Sequence, residues 1–149
     1  MFWRKISLFA LFLLVLFLVP SVSATPPEEI NGYFYWAPDG SPYNYCLFSV
    51  DNDGAPDGFL EGCVIQPDSP GRAAHGTFYQ FPLFPEHDPD NTTGECEYNL
   101  ATFTIPGRGS VGDPKFVMNR CSGSLEGLHM NGTGEAGEFY FTGTYHFAP

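Results

Sequence analysis

Alternation of apolar and polar residues near the C-terminus is the feature that most limits how this chain can fold. Between residues 138 and 147, one side of an extended chain carries Phe139, Phe141, Gly143, Tyr145 and Phe147. Because successive side chains of a β-strand point to opposite faces, this side is expected to be buried. No segment after residue 24 combines a 3.6-residue apolar period with the start and stop signals of a helix. The chain is therefore predicted to be all-β.

Further strand candidates recur along the chain between clusters of Gly, Pro, Asn and Asp. They lie at 31–36, 45–50, 60–65, 75–81, 97–105 and 115–121, with a weaker one at 124–131. About eight short strands predict an antiparallel up-and-down β-barrel, with a β-sandwich as the alternative. The Pro-containing stretches 66–71 and 81–90 are predicted to be surface loops, and 25–29 a mobile tail.

The N-terminus has the pattern of a secretory signal peptide. Arg4 and Lys5 precede an apolar run of 14 residues, 6–19, and small residues follow up to Ala24. The run is shorter than the roughly 20 residues that a membrane-spanning helix needs, although a retained anchor is the alternative. We expect a signal peptide at 1–24 and one secreted domain at 25–149, free of the membrane after cleavage.

Four cysteines, all beyond the predicted signal peptide, indicate two disulfides. An even number of cysteines in an exported chain is typical of disulfide bonding, and three pairings are possible. Cys46 and Cys63 lie on either side of the turn-rich segment 51–58, and Cys96 and Cys121 flank the loop 106–114. Since cysteines opposite each other in a hairpin are close enough to bond, the predicted pairs are 46–63 and 96–121.

The charge of the chain limits its partners. Without the predicted signal peptide, four basic residues remain against 17 acidic ones, a formal net charge of −13. Such a surface repels the phosphates of nucleic acids and anionic lipids, so neither is an expected partner. Cations, neutral sugars, apolar small molecules and basic proteins are compatible with it. The alternative is that the charge only keeps an exported monomer soluble.

The last part of the chain is similar to a known kind of barrel. The run CSGSLEGLHMNGTG at 121–134, followed by GEFYFTGTYHF at 137–147, resembles the closing strands of small β-barrels related to the allene oxide cyclases. Those barrels often carry a G-x-L-x-G-L-x-G-x-G-like turn and then a Gly-Thr-Tyr strand. The resemblance implies an eight-stranded antiparallel barrel with an interior able to hold an apolar ligand. No catalytic motif of that family is matched residue by residue, so its activity is not implied.

The segment 51–58 is also a candidate calcium site. Asp51, Asp53, Asp57 and also Glu61 could supply the oxygen ligands that calcium requires, and the segment resembles the Asp-rich loops of thrombospondin-type calcium repeats. It does not fit the EF-hand pattern. The alternative is a hairpin loop in which Asp, Asn and Gly form tight turns, and no other cofactor is predicted.

Aromatic residues alternate onto both faces of the first predicted strand. Because Tyr33, Phe34, Tyr35 and Trp36 alternate in this way, a second aromatic surface is expected besides the core, and Tyr43, Tyr45, Tyr79 and Tyr140 could extend it. Such a surface could stack on sugar rings or line an apolar lumen. The alternative is a barrel core with ordinary cross-strand aromatic pairs.

The sequence as a whole favours a binding or interaction module without catalytic activity, for a small apolar or sugar ligand. One alternative is a cyclase-like or isomerase-like barrel enzyme, which requires Glu138, Tyr140 or His146 to point inward. The other is a calcium-stabilised extracellular structural protein. The four histidines, at 75, 87, 129 and 146, show no short metal-ligand spacing. Asn91 and Asn131 begin N-glycosylation sequons, which matter only in a host that glycosylates exported proteins.

Overall fold

A computed structural model describes residues 26–148, except 67–72, 85–86, 102–103, 106–108, 111–114 and 135–138. The predicted signal peptide lies outside the described residues. The strands are β1 (Glu28–Trp36), β2 (Tyr45–Val50), β3 (Pro56–Ile65), β4 (Ala73–Gln80), β5 (Gly94–Ala101), β6 (Thr104–Ile105), β7 (Gly109–Ser110), β8 (Lys115–Gly123), β9 (Leu128–Gly134) and β10 (Tyr140–Phe147). A 3₁₀ turn spans Pro89–Asn91. No helix among the described residues has the length and apolarity needed to cross a membrane.

Eight of these strands form a closed antiparallel barrel in the order β1-β10-β9-β8-β5-β4-β3-β2. Neighbours in the barrel are neighbours in the chain, except that the two-stranded sheet β6-β7 is inserted between β5 and β8 and that β10 closes onto β1. Closure leaves none of the eight strands with an unpaired edge. The predicted all-β up-and-down barrel is confirmed, and the sandwich alternative is not adopted.

The strand β1 begins earlier than the sequence predicted. Glu28 and Glu29, which were expected in a mobile tail, pair with Tyr145 and Thr144 of β10. The Tyr145 hydroxyl also donates a hydrogen bond of 2.8 Å to Oε2 of Glu28. The expectation of a tail was wrong at these two positions, because closing the barrel requires a pairing partner for the C-terminal half of β10.

The boundary before β9 also differs from the prediction. Residues 124–127 form a turn, and the strand runs over Leu128–Gly134. Gly123 and Gly127 have positive φ angles of 65° and 80°, which glycine adopts at little cost. Leu125, although it lies in the turn, is 3% exposed and packs on the core.

The interior of the barrel is filled with side chains. Phe116 lies against Gly132 and Phe141 against Gly32, where an added Cβ would overlap the phenyl ring. The two rings contact each other edge to face, with centroids 5.3 Å apart. The other fully buried large side chains of this core are Leu47, Leu60, Val64, Phe78, Met118, Leu128 and Met130. A barrel of eight strands has room for such a core, so the described interior is packed rather than open.

Both predicted disulfides are confirmed. Cys46 and Cys63 are paired directly opposite each other on β2 and β3. Cys96 and Cys121 join β5 to β8 across an irregularity in the ladder. Cys96 belongs to the interior core, whereas Cys46 and Cys63 belong to a second cluster on the outer surface. The Cys96–Cys121 disulfide is therefore part of the interior core, and the Cys46–Cys63 disulfide is part of the outer cluster.

Candidate functional site

The outer surface of β2, β3 and β4 is covered by the chain itself. We call residues 81–88 the cover segment, of which 85 and 86 are not described. Phe81 and Leu83 are 1% and 5% exposed and pack on the Cys46–Cys63 disulfide. The prediction of a surface loop at 81–90 was wrong for these two residues. Proline excludes a segment from the interior of a sheet, but it does not prevent the segment from packing onto one.

Glu61 on the outer face of β3 holds the cover segment in place. Its backbone oxygen accepts a hydrogen bond from the amide of Phe81 at 2.9 Å, and Oε2 accepts one from the amide of Leu83 at 3.0 Å. The Phe81 ring lies 5.4 Å from that of Tyr43 and 5.0 Å from that of His87. Burial raises the pKa of Tyr43, and burial together with the Glu61 charge raises the pKa of Tyr35.

Next to the aromatic cluster under the cover segment lies another aromatic surface, which the described residues do not cover. We call it the open aromatic face, and it consists of Tyr33, Phe48, Phe84 and Tyr140. Tyr33 is paired with Tyr140 on β10 and with Phe48 on β2. The ring centroids are 5.2 Å apart for Tyr33–Tyr140, 5.8 Å for Tyr33–Phe48 and 5.1 Å for Phe48–Phe84. Tyr33 is 40% and Phe84 44% exposed, so the four rings form a continuous, partly exposed strip.

A row of hydrogen-bonding side chains lies next to this face, two residues away from Tyr33 along β1 and from Tyr140 along β10. Asn31 is paired with Thr142, Thr142 with Thr133, and Thr133 with Lys115. Asn31 is half-buried, and the other three are exposed. We call these four residues the polar row. Since they share the outward parity of Tyr33 and Tyr140, the outer wall presents aromatic rings and polar groups next to each other.

No family model, no curated protein and no solved structure matches this chain. The candidate site is therefore defined by its geometry alone.

The other aromatic residues singled out in the sequence lie elsewhere. Tyr43 and Tyr79 pack in the cluster under the cover segment, with ring centroids 6.1 Å apart. Tyr45 packs against the interior core. Trp36 ends β1 and is 72% exposed. The predicted aromatic surface is thus divided among the core, the covered cluster and the open aromatic face.

Tyr45 and Tyr98 place two phenols in the interior of the barrel. Tyr98 is 2% exposed, and the two rings lie 5.9 Å apart. The Tyr45 hydroxyl donates a hydrogen bond of 3.1 Å to Oε1 of Gln66. Burial raises the pKa of both tyrosines well above the ordinary value. These phenols therefore remain neutral in the folded barrel.

The predicted calcium loop uses its carboxylates in turns. Oδ1 of Asp51 accepts hydrogen bonds from the amides of Asp53 and Ala55 at 2.9 and 3.0 Å. Oδ1 of Asp57 accepts one from the amide of Phe59 at 2.9 Å. Gly54 follows with a φ of 82°. This geometry is that of the alternative, a hairpin loop with Asx turns, and calcium binding at Asp51, Asp53 and Asp57 stays a prediction.

Metal-ligand groups are sparse among the described residues. The group of three or more ligand atoms that lies within 4.8 Å consists of Cys46, Cys63 and His87. Both cysteines are joined in the disulfide, so neither offers a thiolate. Asp51, Asp53 and Asp57 do not form such a group in the described structure.

A buried serine compensates for a break in the β2–β3 ladder. The pairing shifts between Phe48 and Val50, which leaves Ser49 without a regular partner on β3. Its hydroxyl accepts a hydrogen bond from the amide of Leu60 at 2.9 Å and donates one to Oδ1 of Asp57. Ser49 is fully buried. This network was not predicted from the sequence, since a bulge leaves no clear pattern in it.

Two of the residues named for the enzyme alternative, Tyr140 and His146, lie on the outer wall of the barrel. Tyr140 contacts Tyr33 on the outer wall, and His146 stacks on His129. Between them on β10, Phe141 lies in the interior core. Glu138 lies outside the described residues. The face that alternation predicted to be buried is thus buried at Phe141, but Phe139 before β10 and Phe147 at its end are 51% and 41% exposed.

The structure brings together His129 and His146, which share no short metal-ligand spacing in the chain. They lie directly opposite each other on β9 and β10, with parallel rings whose centroids are 5.2 Å apart. A signal was present, because the two residues are equidistant from the middle of the β9–β10 connection. The same symmetry predicted the Cys46–Cys63 pair.

The two sequons occupy exposed positions. Asn91 ends the 3₁₀ turn at Pro89–Asn91, and Asn131 lies on the outer face of β9 opposite Thr144. Both side chains are exposed. Glycosylation at either position is compatible with the fold and stays a prediction.

Proposed function

We propose that this protein is an exported, non-catalytic binding module that holds a neutral sugar chain on its open aromatic face. The observation that carries the proposal is the position of this face beside the polar row on the outer wall of β9, β10 and β1. Sugar rings have apolar faces and hydroxyl edges. Aromatic rings can stack on the former while Asn31, Thr142 and Thr133 donate to and accept from the latter.

The packed interior favours a surface ligand over one in a lumen. Fully buried side chains such as Met118 and Met130 occupy the centre of the barrel. Removing them to make room for an apolar ligand would cost several kcal/mol each, about 2–5 for a Met-to-Ala change. The outer wall needs no such rearrangement, because Tyr33 and Phe84 are already exposed.

The charge of the chain favours a neutral ligand. The protein carries 17 acidic residues against 6 basic ones, so an anionic polysaccharide would be repelled. Lys115, at the end of the polar row, is exposed and can donate hydrogen bonds to sugar hydroxyls. Export through the predicted signal peptide would bring the protein to extracellular glycans, and its two disulfides suit that environment.

The resemblance of residues 121–147 to allene oxide cyclase-type barrels supports the scaffold in this proposal. The segment covers the end of β8 and all of β9 and β10, which carry part of the polar row and Tyr140. The resemblance has no bearing on the ligand, since the proposed surface faces outward.

Titration calorimetry with cellohexaose, chitohexaose and mannohexaose tests the proposal. We expect one of these neutral oligosaccharides to bind, and Tyr33→Ala or Tyr140→Ala to weaken binding by about tenfold or more, as loss of a central aromatic contact does. Phe147→Ala is the matched control, because Phe147 is similarly exposed at 41% but ends β10 away from the face. An Asn131→Gln background keeps any attached glycan off the neighbouring wall.

Two results would contradict the proposal. The first is that none of the three oligosaccharides binds at millimolar concentration. The second is that binding is unchanged in Tyr33→Ala and Tyr140→Ala but weakened in Phe147→Ala.

A further inference from the structure

We infer that His129 and His146 form a binding site for a divalent transition-metal ion such as Zn²⁺, on the outer wall of the barrel and separate from the open aromatic face. The two histidines are a cross-strand pair on β9 and β10. Their side chains share the outward face with Asn131 and Thr144, one pair further along the same two strands.

The geometry of the pair suits shared coordination. Side chains directly opposite on antiparallel strands have Cβ atoms about 4.5–5.5 Å apart. The imidazole rings are parallel within 9°, with centroids 5.2 Å apart. A zinc ion lies about 2.0–2.1 Å from a ligating imidazole nitrogen. Because a metal ion lies in the plane of each imidazole that binds it, the two parallel rings must turn about χ2, which has a broad preference in histidine, before one nitrogen of each can reach a common ion.

Acidic residues lie in the wider surroundings of the pair, although none of those described is close enough to form a three-ligand group with the two histidines. Glu29 on β1 is paired with Thr144 and so lies diagonally from His146 on the same face. Glu126 is exposed in the turn that precedes β9. The acidic chain attracts divalent cations in general, and imidazole selects Zn²⁺, Cu²⁺ and Ni²⁺ over Ca²⁺ and Mg²⁺.

The other two histidines have different partners. Nδ1 of His75 is hydrogen-bonded to Oδ1 of Asn99 on the neighbouring strand. The ring of His87 packs edge-on against those of Phe81 and Tyr43. His75 is therefore a matched control, because it is an exposed, outward, cross-strand histidine whose partner is an amide instead of an imidazole.

Titration of the oxidised, exported protein with Zn²⁺ alone tests this inference. We expect saturable binding of one ion, and a loss of affinity of at least about tenfold in His129→Gln and in His146→Gln, since even outer-shell changes at metal sites cost 10–100-fold. His75→Gln should bind as the native protein does. Unfolding curves recorded without metal show whether each variant is folded, which substitutions on the outer wall should permit.

Broadening of imidazole NMR signals by Ni²⁺ localises the site independently. We expect the ring signals of His129 and His146 to broaden before those of His75 and His87. The inference is overturned if Zn²⁺ does not bind at millimolar concentration, if His129→Gln binds it unchanged, or if His75→Gln loses it. Parallel titration with Ca²⁺ distinguishes this site from the loop at Asp51, Asp53 and Asp57, because oxygen ligands would bind Ca²⁺ irrespective of the histidine variants.

Discussion

Two aromatic surfaces lie side by side on the outer wall of this barrel, and only one of them is buried by the chain. Under the cover segment, Phe81 is 1% exposed. On the open aromatic face, Tyr33 is 40% exposed. Phe48 joins the two, since its ring contacts those of Tyr35 on one side and Tyr33 on the other. The two surfaces are both aromatic, and they differ in whether residues of the chain cover them.

The largest expected effect comes from removing the centre of the covered cluster. Phe81→Ala deletes a fully buried ring that packs on Tyr43 and the Cys46–Cys63 disulfide. We expect the free energy of unfolding to fall by about 3–5 kcal/mol, measured by urea denaturation of the oxidised protein. A loss below about 1 kcal/mol would mean that the cover segment does not form a structural core.

Removing the outer disulfide should have the next largest effect. The bond joins residues 17 apart in sequence, and closing a loop of this length stabilises a protein by about 3 kcal/mol through the unfolded state. We expect a loss of about this size in the double variant Cys46→Ala/Cys63→Ala, again from urea denaturation. Unchanged stability would show that the covered cluster holds β2 to β3 without the bond.

Replacing Phe84 by alanine should have a much smaller effect than replacing Phe81. Phe84 belongs to the cover segment but is 44% exposed and contacts Phe48 at the edge of the open aromatic face. We expect Phe84→Ala to lower the free energy of unfolding by less than about 1 kcal/mol. Equal losses for Phe81→Ala and Phe84→Ala would remove the distinction between the two surfaces.

The smallest effect concerns alkaline pH. The raised pKa values of Tyr35 and Tyr43 mean that the folded state holds their protons more tightly than the unfolded state. Their contribution to stability is therefore complete below pH 10, the ordinary tyrosine pKa, and is lost as pH rises through the folded-state values. We expect stability to decline more gently above pH 10 in Tyr35→Phe/Tyr43→Phe than in the native protein, measured by thermal unfolding in a pH series. An identical decline would show that the cover segment does not shield these phenols.

Local patterns predicted much of the fold. The strand at 45–50 was predicted with the bounds it has, because alternation and flanking turn residues define a strand locally. The Cys46–Cys63 pair followed from its symmetry about a hairpin. The start of β1 at Glu28 was missed because it depends on pairing with β10, more than a hundred residues away, which no local pattern records.

The candidate site was less accessible to prediction. The sequence indicated a second aromatic surface made of aromatic residues of the first strand together with Tyr43, Tyr45, Tyr79 and Tyr140. Of these four tyrosines, Tyr45 packs against the interior core, and Tyr43 and Tyr79 are in the covered cluster. The difference depends on where residues 81–88 pack, and prolines in this segment indicated only that it is not a central strand. The polar row became visible only with the register of β1, β10, β9 and β8.

The most direct test of whether a neutral sugar binds on the open aromatic face is to map an oligosaccharide on the protein by NMR. Methyl signals of Met118 and Met130 report on the interior, and ring signals of Tyr33 and Tyr140 report on the open aromatic face. Addition of the neutral hexasaccharide that binds should shift the Tyr33 and Tyr140 signals and leave both methionine signals in place. If the Met118 and Met130 signals shift and the Tyr33 and Tyr140 signals do not, the ligand lies inside the barrel, which would contradict binding on the open aromatic face.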